Sequence, residues 1–214
     1  MKKTKSTFFN AKNIAYLAVL TALVVVLQTC SGFFKIGTTS LSFVLVPIVL
    51  GSIILGIGAG AFLGAVFGFI VICDALGGMD AFTMILLEDS PVFTVFLCLI
   101  KGIAAGVVPA LLYKLISRRN KRIAVVVASV TAPIINTGLF ILGGLILSDV
   151  LTEHFVADGQ TVIYFLIIGC AGINFLIEFA INLVLSPALY TVTRVVEKQF
   201  ITKKQRRVTN SNNT

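Results

Sequence analysis

The chain is 214 residues long, 57% hydrophobic and only 12% charged, with a strongly positive mean hydropathy. A soluble domain of that size cannot hide so much apolar surface in one core, so a bilayer must supply the remaining burial. The net charge of +8 does not point to nucleic acid, because the basic residues are dispersed over three segments beside apolar runs, where insertion bias and anionic lipid place them.

Apolar runs that match the roughly 17 to 25 residues of a membrane-crossing helix are predicted at 14–31, 41–57, 58–76, 92–116, 123–147 and 162–190. They are continuously apolar and lack the alternation of about ten residues that marks barrel strands. The predicted fold is therefore all-α: an integral membrane bundle of six transmembrane helices in a single domain over 1–195, with both ends on one side. The stretch 196–214 reads as a basic tail that ends in asparagines and is expected to be disordered.

The first run follows a lysine-rich segment and ends at Leu27-Gln28-Thr29-Cys30, the outline of a lipoprotein cleavage site. The small residue wanted before the cysteine is absent and five further runs follow, so this helix is expected to remain in the protein. It also carries Ala18 and Ala22, preceded by Ala11 and Ala15 at the same spacing, which gives a small-residue face next to its first end and a candidate docking surface. The second and third runs are parted only by Gly56, Gly58 and Gly60. The third has Gly60, Gly64 and Gly68 at four-residue spacing, a nearly bare face suited to close helix packing in lipid.

Lys2, Lys3, Lys5 and Lys12 precede the first run, Lys114, Arg118, Arg119, Lys121 and Arg122 lie between the fourth and fifth, and Arg194, Lys198, Lys203, Lys204, Arg206 and Arg207 follow the sixth. Only Lys35 and Lys101 fall elsewhere, so the positive-inside rule predicts two cytoplasmic termini. Asp74, Asp80, Glu88, Asp89, Asp149, Glu153 and Asp158 fall on the opposite side, and Tyr16, Tyr113, Tyr164 and Tyr190 sit near helix ends, where amphipathic rings favour the interface.

Two ionisable side chains lie deep inside apolar runs: Lys101 in the fourth and Glu178 in the sixth. A charge at mid-membrane depth costs on the order of 2.5 to 3.5 kcal/mol on insertion scales, so each is expected to face a polar partner or a cavity. Asn174, Glu178 and Asn182 recur at i, i+4 and i+8 and form one stripe, while Asn136 with Thr137 marks the fifth run. Counted from the predicted outer ends, Lys101, Asn136 and Asn174 reach similar depth in the outer half and are able to converge on one pocket. Pairing of Lys101 with Glu178, with the asparagines stitching helices together, needs no ligand, and the sequence leaves both readings open.

No catalytic set is expected. The lone His154 reads as a solvated loop residue, and Cys30, Cys73, Cys98 and Cys170 read as small hydrophobes without the spacing of a metal site. There is no GxSxG elbow, no HExxH pair and no GxxxxGK[ST] phosphate loop. Neither a cofactor nor an enzymatic activity is predicted, and any ATP-driven step has to be handled by other subunits.

Between residue 11 and about residue 195 the chain resembles the substrate-binding S components of energy-coupling factor vitamin transporters. The resemblance is carried by six short helices with cytoplasmic ends, Ala18-x-x-x-Ala22, Leu45-Val-Pro-Ile-Val-Leu-Gly51 with the glycine-rich stretch through Gly68, and Ala132-Pro-Ile-Ile-Asn136-Thr137. It implies a plasma-membrane protein that captures a vitamin-like solute from outside and docks through the alanine face on a membrane scaffold subunit driven by two ATPase subunits. It also implies a pocket in the outer half, lidded by the loops Ser31 to Ser40 and Asp74 to Ser90. There Gly32, Gly37, Gly77 and Gly78 are candidate hinges, and Phe33, Phe34 and Phe82 are candidate covers.

Lys101, Asn136, Asn174 and Glu178 are the candidate substrate-binding residues. An ammonium suits a carboxylate and asparagines suit hydroxyl or amide groups, so a small polar acid such as pantothenate fits better than a large flat ring. No tryptophan is present to stack a flavin, thiamin or pterin, although Phe and Tyr can substitute, so riboflavin, folate and queuosine-precursor carriers stay open. Two alternatives stay open: an ion-coupled transporter acting alone, which should show repeated broken helices, and a structural or regulatory membrane protein that binds no solute.

Overall fold

The computed structural model describes residues 11–31, 35–36, 39–40, 43–157 and 159–211, and side chains within these as far as residue 199, those of the two short strands excepted. The first helix, α1, spans Ala11–Ser31 and is followed by a two-residue antiparallel pair, β1 (Lys35–Ile36) and β2 (Thr39–Ser40). All other regular structure among the described residues is helical. The helices are α2 (Leu45–Leu55), α3 (Ile57–Leu76), α4 (Ala81–Asp89), α5 (Pro91–Ile116), α6 (Lys121–Ile146), α7 (Ser148–His154), the single turn α8 (Val162–Tyr164) and α9 (Gly172–Ser211).

Five of the described helical stretches are long and apolar enough to cross a membrane: α1, α3, α5, α6 and the run from Val162 to Gln199. Their outward faces carry large apolar side chains, with Val19, Phe69, Phe96 and Val184 each more than half exposed. A contiguous apolar exterior of this kind is suited to acyl chains rather than to water.

The predicted second span is where the observed architecture departs most from the predicted bounds. Within 41–57 only Leu45–Leu55 forms α2, 11 residues or about 16 Å of rise against a hydrocarbon core of roughly 30 Å. Leu45, Ile48 and Val49 are fully buried, and α2 packs against α1, α3, α5, α6 and α9. Its apolarity reflects enclosure mainly by protein, with a half-buried stripe at Val46, Leu50 and Ile54, which composition alone does not separate from contact with lipid. The helix stops at Gly56, whose φ of 91° lies in the left-handed region open to glycine, and α3 starts one residue later.

The tightest seam joins α3 to α5. Gly60 lies against the backbone of Gly106, Gly64 against that of Gly102 and Gly68 against that of Cys98, so that a Cβ on any of these glycines would overlap main-chain atoms. Ser52 of α2 adds a hydroxyl that donates to the Gly106 carbonyl at 2.7 Å. Without a hydrophobic driving force between helices in lipid, dispersion over such a bare contact and occasional polar bridges hold the bundle.

The sixth predicted run is interrupted. A π-helical stretch, Phe165–Ala171, lies between α8 and α9, and wider turns of this type recur at functional sites. At the other end, the boundary placed near residue 195 has no counterpart in the backbone, because α9 continues to Ser211. The expected disordered tail is helical to that point, in line with its Lys, Gln and Arg content, since these residues are good helix formers.

Replacing Gly64 with Val is expected to lower stability by about 3 kcal/mol or more, because the new atoms meet backbone that cannot yield. Gly138→Ala, whose added Cβ meets nothing within 4 Å, is expected to leave stability unchanged or raise it by up to about 1 kcal/mol. Thermal unfolding of both variants in detergent, followed by retention of the monodisperse species, checks the contrast.

A polar cavity as the candidate binding site

Between the ends of α1, α3, α5, α6 and α9, with α4 across the top, lies a cavity of about 90 Å³. Lys101, Asn136, Asn174 and Glu178 all line it, contributed by α5, α6 and α9. The convergence expected from similar depths is therefore observed. On a scale of roughly 10 to 15 Å³ per water the space holds several waters, and its lining is a mixture of polar and apolar side chains.

Lys101 is partly buried and has no carboxylate within ion-pair distance among the described residues. Its ammonium lies over the face of Phe140, 5.4 Å from the ring centroid. The pairing with Glu178 that the sequence left open is thus not formed. A cation–π contact contributes about 0.5 to 2 kcal/mol and leaves the three N–H donors of the ammonium available.

The polar stripe of α9 faces inward as its spacing predicts, with Asn174, Glu178 and Asn182 all buried. Asn182 donates to the Glu178 carbonyl at 2.9 Å, and Asn174 donates to the Cys170 carbonyl at 3.4 Å. The Oδ1 of Asn136 on α6 is buried without a hydrogen-bond partner, as is the Oδ1 of Asn182. An unsatisfied buried acceptor costs about 1 to 3 kcal/mol, a burden expected where a ligand or water later supplies the missing donor.

Gln28, which sequence reasoning did not assign to the site, and three residues of the segments expected to lid it complete the wall. Gln28 and Ser31 come from the last turns of α1, and Asp80 and Thr83 from the start of α4. Gln28 is buried and donates Nε2 to Asp74 Oδ2 at 3.0 Å, while its Oε1 has no partner. Asp80 caps α4 by accepting from the Thr83 backbone at 3.1 Å and from its hydroxyl at 2.6 Å. The available signal for Gln28 was a lone amide in an otherwise apolar run, four residues from Val24 and eight from Leu20 on the same buried face.

The covering segment at 74–90 is more ordered than a loop, since α4 occupies Ala81–Asp89 and is tied to α5 by the Thr94 hydroxyl donating to the Leu86 carbonyl at 2.9 Å. Phe82 is buried and lines the cavity, and its ring lies 5.6 Å from Phe140 and 4.9 Å from Phe155. The proposed cover thus rests on the same phenylalanine that supports Lys101. Of the proposed hinges, Gly78 has φ 75° and Gly77 has φ −80°, whereas Gly32, Phe33, Phe34 and Gly37 lie outside the described residues.

Far from the cavity, Ala11, Ala15, Ala18 and Ala22 are all exposed along α1. The opposite face of that helix buries Leu20, Val24, Gln28 and Ser31 against the bundle. One helix thus carries a bare outer stripe and, at its far end, two residues of the cavity wall.

Comparison with known proteins fits this arrangement. The chain is 29% identical over 206 residues to the pantothenic acid transporter PanT of Lactococcus lactis subsp. cremoris (strain MG1363), an alignment covering 88% of this chain and 94% of that protein. The family model described as "ECF transporter, substrate-specific component" matches residues 12–190. The chain belongs to this family of substrate-specific subunits of energy-coupling factor transporters, multi-pass proteins of the bacterial plasma membrane that serve vitamin-type uptake.

Proposed function

We propose that the solute is pantothenate or a closely similar hydroxylated acid, bound in the outer half of the membrane with its carboxylate on Lys101 and its polar groups on Asn136, Asn174 and Glu178. The observation that carries this reading is an ammonium, without an ion-pair partner among the described residues, at the wall of a cavity lined in part by polar groups inside an apolar bundle. Likeness over most of its length to a protein named for pantothenic acid transport supports the choice of acid. Phe82, Phe140 and Phe67 on the same wall suit the apolar part of such a molecule. Admission of a vitamin-sized solute to so small a space requires α4 and its neighbours to move.

The topology we propose has six crossings and two cytoplasmic termini, with residues 1–195 as one transmembrane domain. Five crossings would put the N-terminal lysines and the basic segment after residue 190 on opposite sides of the membrane, against the positive-inside bias. An even number, with the short α2 as an enclosed crossing, keeps both on one face. The exposed alanines, Ala18 and Ala22 among them, are then the docking face for a transmembrane scaffold that carries two ATPase subunits, because small residues let helices approach closely in lipid.

Calorimetric titration of the purified chain with a vitamin panel is expected to show tight binding of pantothenate, weakened about tenfold or more by Lys101→Ala and by Asn136→Ala. Absence of any vitamin binding at micromolar concentration contradicts the reading. Replacement of Ala18 or Ala22 with Leu is expected to abolish co-purification with the scaffold while leaving pantothenate affinity within about twofold. Normal co-purification of both variants returns the alanine face to ordinary lipid contact.

A further inference from the structure

Gln28 has the chemistry of a selecting residue, and its neighbour Asp74 determines how that chemistry is presented. A primary amide has one acceptor and one donor end, and which of them faces the cavity is set by what holds the other. Here Nε2 donates to Asp74 Oδ2 at 3.0 Å, and an ionised carboxylate only accepts. The amide is therefore locked with nitrogen toward Asp74, which is not part of the cavity wall, and with Oε1 as its unused polar atom.

That oxygen is buried without a hydrogen-bond partner, and Gln28 itself lines the cavity. Asn136 Oδ1 is in the same condition on the facing helix α6. The wall thus offers the Gln28 and Asn136 carbonyl-type oxygens lacking donors and an ammonium that has no ion-pair partner among the described residues. A plain fatty or dicarboxylic acid satisfies the ammonium alone. An acid that also carries hydroxyl or amide N–H groups satisfies all three.

We propose that Gln28 is a specificity-determining residue of this cavity: its Oε1 accepts from a hydroxyl or amide donor of the solute, and Asp74 is the positioning residue that keeps the oxygen turned inward. The inference rests on the solute-binding role proposed for the cavity and adds to it the requirement for a donor at α1. Discrimination of this type is steep because a solute lacking the donor leaves a buried acceptor unsatisfied.

The test measures the affinity of the full chain in detergent for pantothenate and for analogues in which each hydroxyl is replaced in turn by hydrogen. The unsubstituted protein is expected to bind one of these analogues about tenfold or more weakly than pantothenate. Gln28→Met, similar in length but without the acceptor, is expected to bring that ratio to within about twofold. Asp74→Asn, which can also donate and so permits the Gln28 amide to reverse, is expected to lower the ratio while Gln28 is intact.

An unchanged ratio in Gln28→Met overturns the inference while leaving pantothenate binding in place. Should that variant fail to fold, an unchanged ratio in Asp74→Asn overturns it equally. No binding of pantothenate by the unsubstituted chain overturns both this inference and the solute assignment on which it rests.

Discussion

The contact on which the arrangement depends is the backbone-to-backbone seam between α3 and α5. Gly60, Gly64 and Gly68 meet Gly106, Gly102 and Cys98 so closely that no side chain fits between them. Such contact fixes the rotation of α5 about its own axis as well as its distance from α3. Lys101 precedes Gly102 by one residue, which on an α-helix is a turn of about 100° away from the seam. The ammonium is thereby carried to the side where Phe140 of α6 and the cavity are found. A looser seam would let α5 roll and turn a charge toward acyl chains, at the cost that membrane insertion scales assign to it.

The remaining helices divide two roles. The short α2, packed against five others, fills part of the bundle's interior and leaves the outer helices free to present apolar faces to lipid. The helix α1 serves two surfaces at once, an exposed alanine stripe along one face and the pair Gln28 and Ser31 at the end of the other. On the proposed reading, a rigid helix bridging the cavity and the exposed alanine stripe is a physical route by which occupancy and assembly can influence each other. The aromatic group of Phe82, Phe140 and Phe155 joins the covering helix α4 to the support beneath Lys101. Motion of α4 is therefore felt at the cation.

Much of this was legible in the sequence because lipid imposes simple demands. Long apolar runs gave the all-helical class, and the interrupted apolar face of Gly60, Gly64 and Gly68 gave the close seam. Lys101, Asn136, Asn174 and Glu178 stood out because a polar group in an apolar run needs a reason, and all four do meet at one cavity. The short α2 was not legible, since residues buried by protein and residues buried by lipid have the same composition. Gln28 was missed for a related reason: near the end of a helix an amide is cheap to hydrate, so its burial depends on α4 and Asp74, which come from distant sequence. The π-helical stretch likewise follows from packing that local composition does not encode.

The central claim is that the Lys101 ammonium is kept out of hydrocarbon in order to meet an anionic group of the solute. An experimental structure of the chain with pantothenate bound tests it most directly. The account predicts a carboxylate oxygen within about 2.7 to 2.9 Å of Lys101 Nζ, the length of a charge-assisted hydrogen bond, inside the cavity bounded by α5, α6 and α9. A solute bound elsewhere, with the Lys101 nitrogen in cytosolic water or among acyl chains, would contradict it.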